Sequence, residues 1–219
     1  MCIRDRSGSS AGAFGVALNC DDMADYLHQA NPDIKIRCVA DSPDYIPWWV
    51  HSRNCKRRKD GYQQFLNGYW SREMDYSCQE YAFDPENRVQ KPEEQCGILS
   101  KALPFIKTDI FILVSLKDPA ISNDYGCFFK GNKDSLAAEW IKEMHGLVTS
   151  ETKVLPKVGW FVPSCPLHVI YSHKDSLDIF VKDINTGQNL SPYTALKKWL
   201  EGDVIHAIDP LDEQNVTCP

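Results

Sequence analysis

Several features that would assign this chain to a common functional class are absent from its sequence. No apolar run is long enough to span a bilayer, and the opening residues 1–7, MCIRDRS, carry charges where a signal peptide has its apolar region. No C-x-x-C pair occurs, which argues against a zinc ribbon or a thioredoxin-like redox site. Close spacings of His, Cys and Asp do not recur either, so the sequence offers no metal site.

Positive charge is also in short supply. The chain has 24 Lys and Arg residues against 30 Asp and Glu residues, and the resulting net charge of −6 leaves no broad electrostatic surface for nucleic acid or anionic lipid. One short basic run, residues 56–59, is interpreted as a solvated loop, with contact to an anionic polysaccharide as the alternative. We therefore expect neither a nucleic-acid partner nor a membrane span.

Cysteine, by contrast, is abundant. Nine cysteines in 219 residues are many for a reducing compartment and favour disulfides, with Cys78–Cys96 as one reasonable pair. Two glycosylation sequons, beginning at Asn189 and Asn215, are compatible with a secretory route. The composition thus favours an extracellular or secretory-pathway location.

Hydrophobic patterning alternates between strand-like and helix-like segments. We predict strands at residues 34–40, 109–116, 159–162 and 169–171, and helices after Gly8, around residues 23–27, at residues 99–105, from Asp134, and from Pro192 to Gly202. Residues 41–97 lack a clear period and are expected to form a loop-and-short-helix insertion held by disulfides. This alternation predicts an α/β fold, with a mostly parallel sheet and helices on both faces.

The most suggestive motif is Gly8-Ser9-Ser10-Ala11-Gly12, which fits the G-x-S-x-G pattern of a nucleophile elbow. Small flanking residues permit a sharp strand-to-helix turn that exposes the serine hydroxyl. Ser10 is then the candidate nucleophile, and the backbone N–H groups of Ala11 and Gly12 are candidate donors to an oxyanion. The alternative interpretation is a glycine-rich helix start without catalytic meaning.

An elbow serine needs an acid and then a histidine further along the chain. Asp118 is the preferred acid because it follows the most strand-like segment, whereas Asp109 opens that segment and Asp124 lies deeper in the loop. A solvated turn aspartate is the alternative for Asp118.

Among the histidines beyond that acid, His168 is the preferred base. The segment PSCPL before it predicts a rigid loop between two short strands, where a catalytic group is held without flexibility. His173 and His206 are not excluded by order along the chain. His28 and His51 precede the acid, and His145 falls on an amphipathic helix.

Five segments in this order resemble the pectin acetylesterase/Notum family of extracellular carboxylesterases: GSSAG at 8–12, ADS at 40–42, YW at 69–70, SLKD at 115–118 and PSCPLH at 163–168. The resemblance implies an α/β-hydrolase-like fold, disulfides, no metal and no cofactor. It also implies a Ser10, Asp118 and His168 triad that hydrolyses an ester. The favoured substrate is an O-acetyl ester on an extracellular polysaccharide or glycoconjugate, and the rival is a fatty acyl ester on a secreted protein.

Asp41 and Ser42, directly after the strand at 34–40, are expected to line the substrate pocket, with a structural turn as the alternative. Two departures from the family pattern matter. Ala13 replaces a usual glycine, and residues 1–7 are neither the expected apolar strand nor the upstream glycine-rich loop. We therefore predict that residues 1–7 are non-native or misassigned, and that residues 8–219 are the C-terminal part of a single domain. A catalytically inactive extracellular binding domain is the competing hypothesis.

Overall fold

The computed structural model describes residues 3–43, 75–87, 95–119, 133–155, 157–172, 174, 176–211 and 218. The chain forms two compact units, which we call the first unit (residues 1–40 and 44–110) and the second unit (residues 41–43 and 111–219). The single domain expected for residues 8–219 stays a prediction. Several residues of the sequence analysis lie outside the described part of the chain: His51, the basic run 56–59, the YW pair at 69–70, Asp124, His173 and Asn215.

The first unit begins with a strand, a tight turn and two helices. Its elements are β1 (Ile3–Ser9), α1 (Ala11–Leu18), α2 (Cys20–Ala30), β2 (Lys35–Asp41), α3 (Tyr76–Ala82), α4 (Leu99–Ala102) and a 3-10 turn (Leu103–Phe105). Within this unit β1 lies beside β2. No strand was expected before Gly8, whereas the backbone there forms β1. That residues 1–7 are non-native or misassigned stays a prediction. Hydrogen bonding to a neighbouring strand depends on the backbone, so charged side chains do not prevent it.

Two disulfides and a buried cluster hold the first unit together. Cys20–Cys38 joins α2 to β2, and Cys78–Cys96 confirms the pair suggested by the sequence. Each closes a separation of 18 residues, which is worth about 3 kcal/mol in the chain-entropy account. The second bridge belongs to a buried cluster with the side chains of Leu18, Ala82 and Ala102.

A buried carboxylate also links distant segments of the first unit. Asp21 on α2 is 3% exposed and accepts hydrogen bonds from the backbone N–H groups of Lys107 (2.9 Å) and Thr108 (2.8 Å). The hydroxyl of Ser77 on α3 donates to it at 2.7 Å. These bonds satisfy the carboxylate in a site from which water is excluded.

The second unit is built on buried strands. Its elements are β3 (Asp109–Leu113, whose first two residues belong to the first unit), α5 (Lys133–Val154), β4 (Val158–Val162), a 3-10 turn (Ser176–Asp178), β5 (Val181–Lys182), β6 (Asn189–Leu190), α6 (Pro192–Glu201) and β7 (His206–Ile208). The order within the unit is β3-β4-β7, and β4 and β7 run parallel. The mostly parallel sheet with helices confirms the predicted fold class.

Helix α6 shows how local sequence sets an element. The Ser191 hydroxyl accepts the N–H of Thr194, Pro192 occupies the first turn, and Gly202 ends the helix with φ of 111°. These are the start and stop signals that the sequence predicted. Strands β3 and β4 are also confirmed, and their near-complete burial explains their unbroken apolar character.

The predicted strand at residues 169–171 is wrong. Val169 has φ of +60°, and the N–H groups of Ile170 and Tyr171 bind the carboxylate of Asp41. Because these donors are committed to a side chain, they are not available to a neighbouring strand. The segment therefore forms a turn.

Candidate active site

Ser10 occupies the turn between β1 and α1. Its backbone has φ of 53° and ψ of −125°, a region that residues with a side chain rarely adopt. The Ser10 carbonyl accepts the N–H of Ala13 at 3.0 Å and of Phe14 at 3.3 Å, so α1 begins directly after it. This strained strand-to-helix turn is the geometry that the G-x-S-x-G pattern predicts.

The two glycines of the motif differ in the space available for a side chain. A Cβ on Gly8 would lie 2.5 Å from the Gly12 carbonyl oxygen and 2.8 Å from a methyl group of Val16, so α1 packs here against bare backbone. A Cβ on Gly12 would meet nothing within 4 Å. The first glycine is thus required by the close approach of α1 to β1. Ala13, which replaces a usual glycine of the family, is fully buried.

The second unit brings together the predicted acid and the predicted base. His168 Nδ1 lies 2.8 Å from Oδ2 and 3.1 Å from Oδ1 of Asp118. The side chain of Asp118 is 1% exposed, whereas that of His168 is 28% exposed. A buried carboxylate in this position holds the proton on Nδ1 and leaves Nε2 to accept one. Their catalytic roles stay predictions.

Of the two histidines that order along the chain left open beside His168, His206 is described, and its surroundings differ. His206 is buried in β7, and its Nδ1 lies 3.3 Å from the side-chain amide of Asn185. Burial lowers the pKa of His206, opposed by the negative charge of Asp183. Order along the chain left His206 open, and its burial in β7 now distinguishes it from the partly exposed His168.

The loop that carries His168 is anchored before the histidine. Cys165 forms a disulfide with Cys218, and the Ser115 hydroxyl donates to the Cys165 carbonyl. The N–H of Ser164 donates to Asp209 at 2.8 Å. No role was predicted from the sequence for Ser115 or Asp209. Both are polar residues just beyond the end of a buried strand, and that position was the signal that could have identified them.

The loop is also anchored after the histidine, by Asp41 and Ser42. Asp41 Oδ1 accepts the N–H of Ile170 at 2.9 Å and Oδ2 accepts that of Tyr171 at 2.8 Å. The Ser42 hydroxyl donates to Asp41 at 3.2 Å, and its oxygen accepts the N–H of Val169 at 2.9 Å. The net effect is a raised pKa of Asp41, because burial outweighs the three hydrogen bonds to its carboxylate and the charge of His168, which lower it. The predicted substrate-binding role of Asp41 and Ser42 stays a prediction.

Two features are absent from the described residues. No group of three or more His, Cys, Asp or Glu side chains in these ranges is arranged to hold a metal ion. No helix in the same ranges has the length and apolarity needed to cross a bilayer.

Comparison with known proteins places the chain in a family. It is 24% identical over 97% of its length to palmitoleoyl-protein carboxylesterase notum1 of Xenopus laevis and to palmitoleoyl-protein carboxylesterase NOTUM of Mus musculus, of which it covers 46% and 44%. The solved structure of the Wnt deacylase Notum from Drosophila matches 91% of the chain and 54% of its own, with a TM-score of 0.66 and 24% identity. This likeness confirms the α/β-hydrolase-like fold, although the chain spans about half the length of the relatives it matches. Because the Pectinacetylesterase family model matches residues 6–219, the chain belongs to the pectinacetylesterase family.

Proposed function

We propose that this chain is a serine carboxylesterase in which Ser10 is the nucleophile, His168 the base and Asp118 the orienting acid. The observation that carries the proposal is the 2.8 Å contact between His168 Nδ1 and the buried carboxylate of Asp118. A partly exposed imidazole paired with a buried acid is the arrangement that general-base catalysis uses. Membership of the pectinacetylesterase family supports ester hydrolysis.

The proposed reaction has two steps. The Ser10 oxygen attacks the ester carbonyl while His168 Nε2 removes the hydroxyl proton, and the N–H groups of Ala11 and Gly12 stabilise the negative oxygen. The carbon–oxygen bond to the alcohol then breaks, and His168 returns the proton to the departing alcohol. Water attacks the acyl-serine with His168 again as base, which releases the carboxylic acid and restores the Ser10 hydroxyl.

Asp118 contributes through the ring nitrogen that does not react. Its carboxylate keeps the Nδ1 proton in place and stabilises the imidazolium that forms when Nε2 takes the serine proton. Because this carboxylate is almost fully buried, water screens the interaction little.

For the substrate we propose an O-acetyl ester on an extracellular polysaccharide or glycoconjugate. The family description, pectinacetylesterase, supports a small acyl group, and three disulfides among the described residues support an extracellular location. A second candidate is a fatty acyl ester on a secreted protein, favoured by the two relatives that are named palmitoleoyl-protein carboxylesterases.

The test replaces the nucleophile. Ser10→Ala should lower the turnover of p-nitrophenyl acetate by at least about 1000-fold and abolish covalent labelling by a fluorophosphonate. Ser9→Ala is the matched control, because it removes the neighbouring exposed hydroxyl and should leave both unchanged. Retained turnover in Ser10→Ala would refute the assignment, and a chain that neither labels nor turns over would support the inactive binding domain.

The same assay separates the two substrate classes. Acetyl and palmitoyl esters of p-nitrophenol differ only in the acyl chain. Faster turnover of acetyl esters supports the glycan substrate, whereas a preference for the long chain supports protein deacylation.

A further inference from the structure

Besides the turn at Ser10, the backbone is strained at Val169, the residue that follows the proposed base. Among the described residues that are not glycine, three have positive φ: Ser10, Ser42 (58°) and Val169 (60°). Ser10 is the elbow, and Ser42 and Val169 are joined by a hydrogen bond. Positive φ is a pronounced outlier for a β-branched residue such as Val169, because its branched side chain crowds the backbone. Such strain persists only where the surrounding structure imposes it.

Four hydrogen bonds that involve the side chains of Asp41 and Ser42 impose this strained conformation. Three consecutive backbone N–H groups, those of residues 169, 170 and 171, donate to these two side chains at 2.8 to 2.9 Å. The fourth bond joins the two side chains to each other. Hydrogen bonds to a carboxylate are about twice as strong as neutral ones, and Asp41 is 4% exposed, which strengthens them further.

These bonds begin at the residue that follows His168. On the other side of the histidine, Cys165 is held by its disulfide and by Ser115. The imidazole itself is 28% exposed, so packing encloses it only in part. Its direction therefore depends on the backbone that carries it, and the contact with Asp118 tolerates little displacement.

We propose that Asp41 and Ser42 are positioning residues that fix the backbone after His168 and thereby hold its imidazole in contact with Asp118. This inference rests on the proposed function and assigns the pair a role other than substrate binding. The Asp41 carboxylate already accepts three hydrogen bonds and is 4% exposed, so little of it is accessible to a substrate hydroxyl.

The test compares the hydrogen bonds of Asp41 and Ser42 with a similar set made by Asp21 and Ser77 elsewhere in the chain. Asp41→Asn and Ser42→Ala remove acceptors at the histidine turn. Asp21→Asn and Ser77→Ala are the matched controls, because Asp21 is equally buried and also accepts two backbone N–H groups and one serine hydroxyl.

We expect the two Asn variants to lose similar thermal stability but to differ in catalysis. Asp41→Asn and Ser42→Ala should lower kcat by about 10- to 100-fold with KM within twofold, since small misplacements of a catalytic group have effects of this size. Asp21→Asn and Ser77→Ala should leave kcat within twofold. Substituting Ser42→Thr, which keeps the hydroxyl, should restore part of the kcat lost in Ser42→Ala.

A second readout does not require activity. The ¹⁵N shifts of the His168 ring report which nitrogen carries the proton, and in the wild type we expect the Nδ1-protonated form. Asp41→Asn and Ser42→Ala should produce a mixture of tautomers, whereas Asp21→Asn should not. If the wild type hydrolyses no ester but this shift occurs, the proposed function fails and the positioning role stands.

Three results would overturn the positioning role. A rise in KM at unchanged kcat in Asp41→Asn would indicate substrate binding. An equal fall of kcat in Asp41→Asn and Asp21→Asn would indicate a general loss of stability. An unchanged tautomer in Asp41→Asn would show that the imidazole does not depend on these bonds.

Discussion

Replacing Gly8 by alanine tests the close approach that forms the elbow. The added Cβ would lie 2.5 and 2.7 Å from the Gly12 carbonyl atoms and 2.8 Å from a Val16 methyl group. Carbon atoms in van der Waals contact are about 3.5 to 4.0 Å apart, so each distance is roughly 1 Å too short. Two of the three atoms are backbone, so they cannot rotate away and α1 must move from β1.

This overpacking sets the expected cost. Inserting a methyl group into a packed site costs about 1–3 kcal/mol, and we expect the upper end because the obstruction is backbone. For a chain of this length, 1 kcal/mol corresponds to roughly 2–4 °C in Tm, so Gly8→Ala should unfold about 6–12 °C below the wild type.

Gly12→Ala is the internal control. It adds the same methyl group four residues later, at an exposed helical position with nothing within 4 Å. Alanine is favoured over glycine in a helix by about 1 kcal/mol, so this variant should be as stable as the wild type or slightly more stable. Thermal unfolding followed by circular dichroism measures both, and equal Tm values for Gly8→Ala and Gly12→Ala would refute the packing argument.

Two further predictions concern the second unit. Burial raises the pKa of Glu151 from 4.5 to about 8, so the folded chain keeps a proton that the unfolded chain releases, and stability should fall as pH rises from 4.5 to 8. Glu151→Gln should remove this pH dependence of the free energy of unfolding, which is on the order of 1 kcal/mol per pH unit. Urea unfolding at pH 5 and 8 measures it, and an equal change in the wild type and in Glu151→Gln would contradict the prediction. In β4, a Cβ on Gly159 would lie 2.4 Å from Phe111 and 2.7 Å from Trp199, so Gly159→Ala should destabilise by about 1–3 kcal/mol. An unchanged Tm would show that these rings move aside freely.

Local signals in the sequence predicted much of this chain correctly. The helix that starts at Ser191 and stops at Gly202 follows from capping chemistry between residues a few positions apart. The buried strand β3 follows from an unbroken apolar run. Each depends on neighbours in sequence, so no tertiary information was needed. The family, too, was identified from short motifs in order, and the family model confirms it.

The failures occurred where distant residues determine the local conformation. Residues 169–171 have the apolar composition of a strand, but they form a turn because Asp41, 129 positions from Ile170, takes their N–H groups. The charged residues before Gly8 lack a strand pattern, yet they form β1. Backbone hydrogen bonding to another segment outweighs local propensity in both cases.

The sequence by itself determined the turn around Ser10, because only a glycine at position 8 lets α1 approach β1 so closely. It also supplied an acid and several histidines in a plausible order. Which acid meets which histidine was decided only by the tertiary structure. Asp118 and His168 are 50 residues apart, and they meet because each follows one of two adjacent strands, β3 and β4. Sequence order does not encode that adjacency, since it arises from the pairing of strands across a sheet.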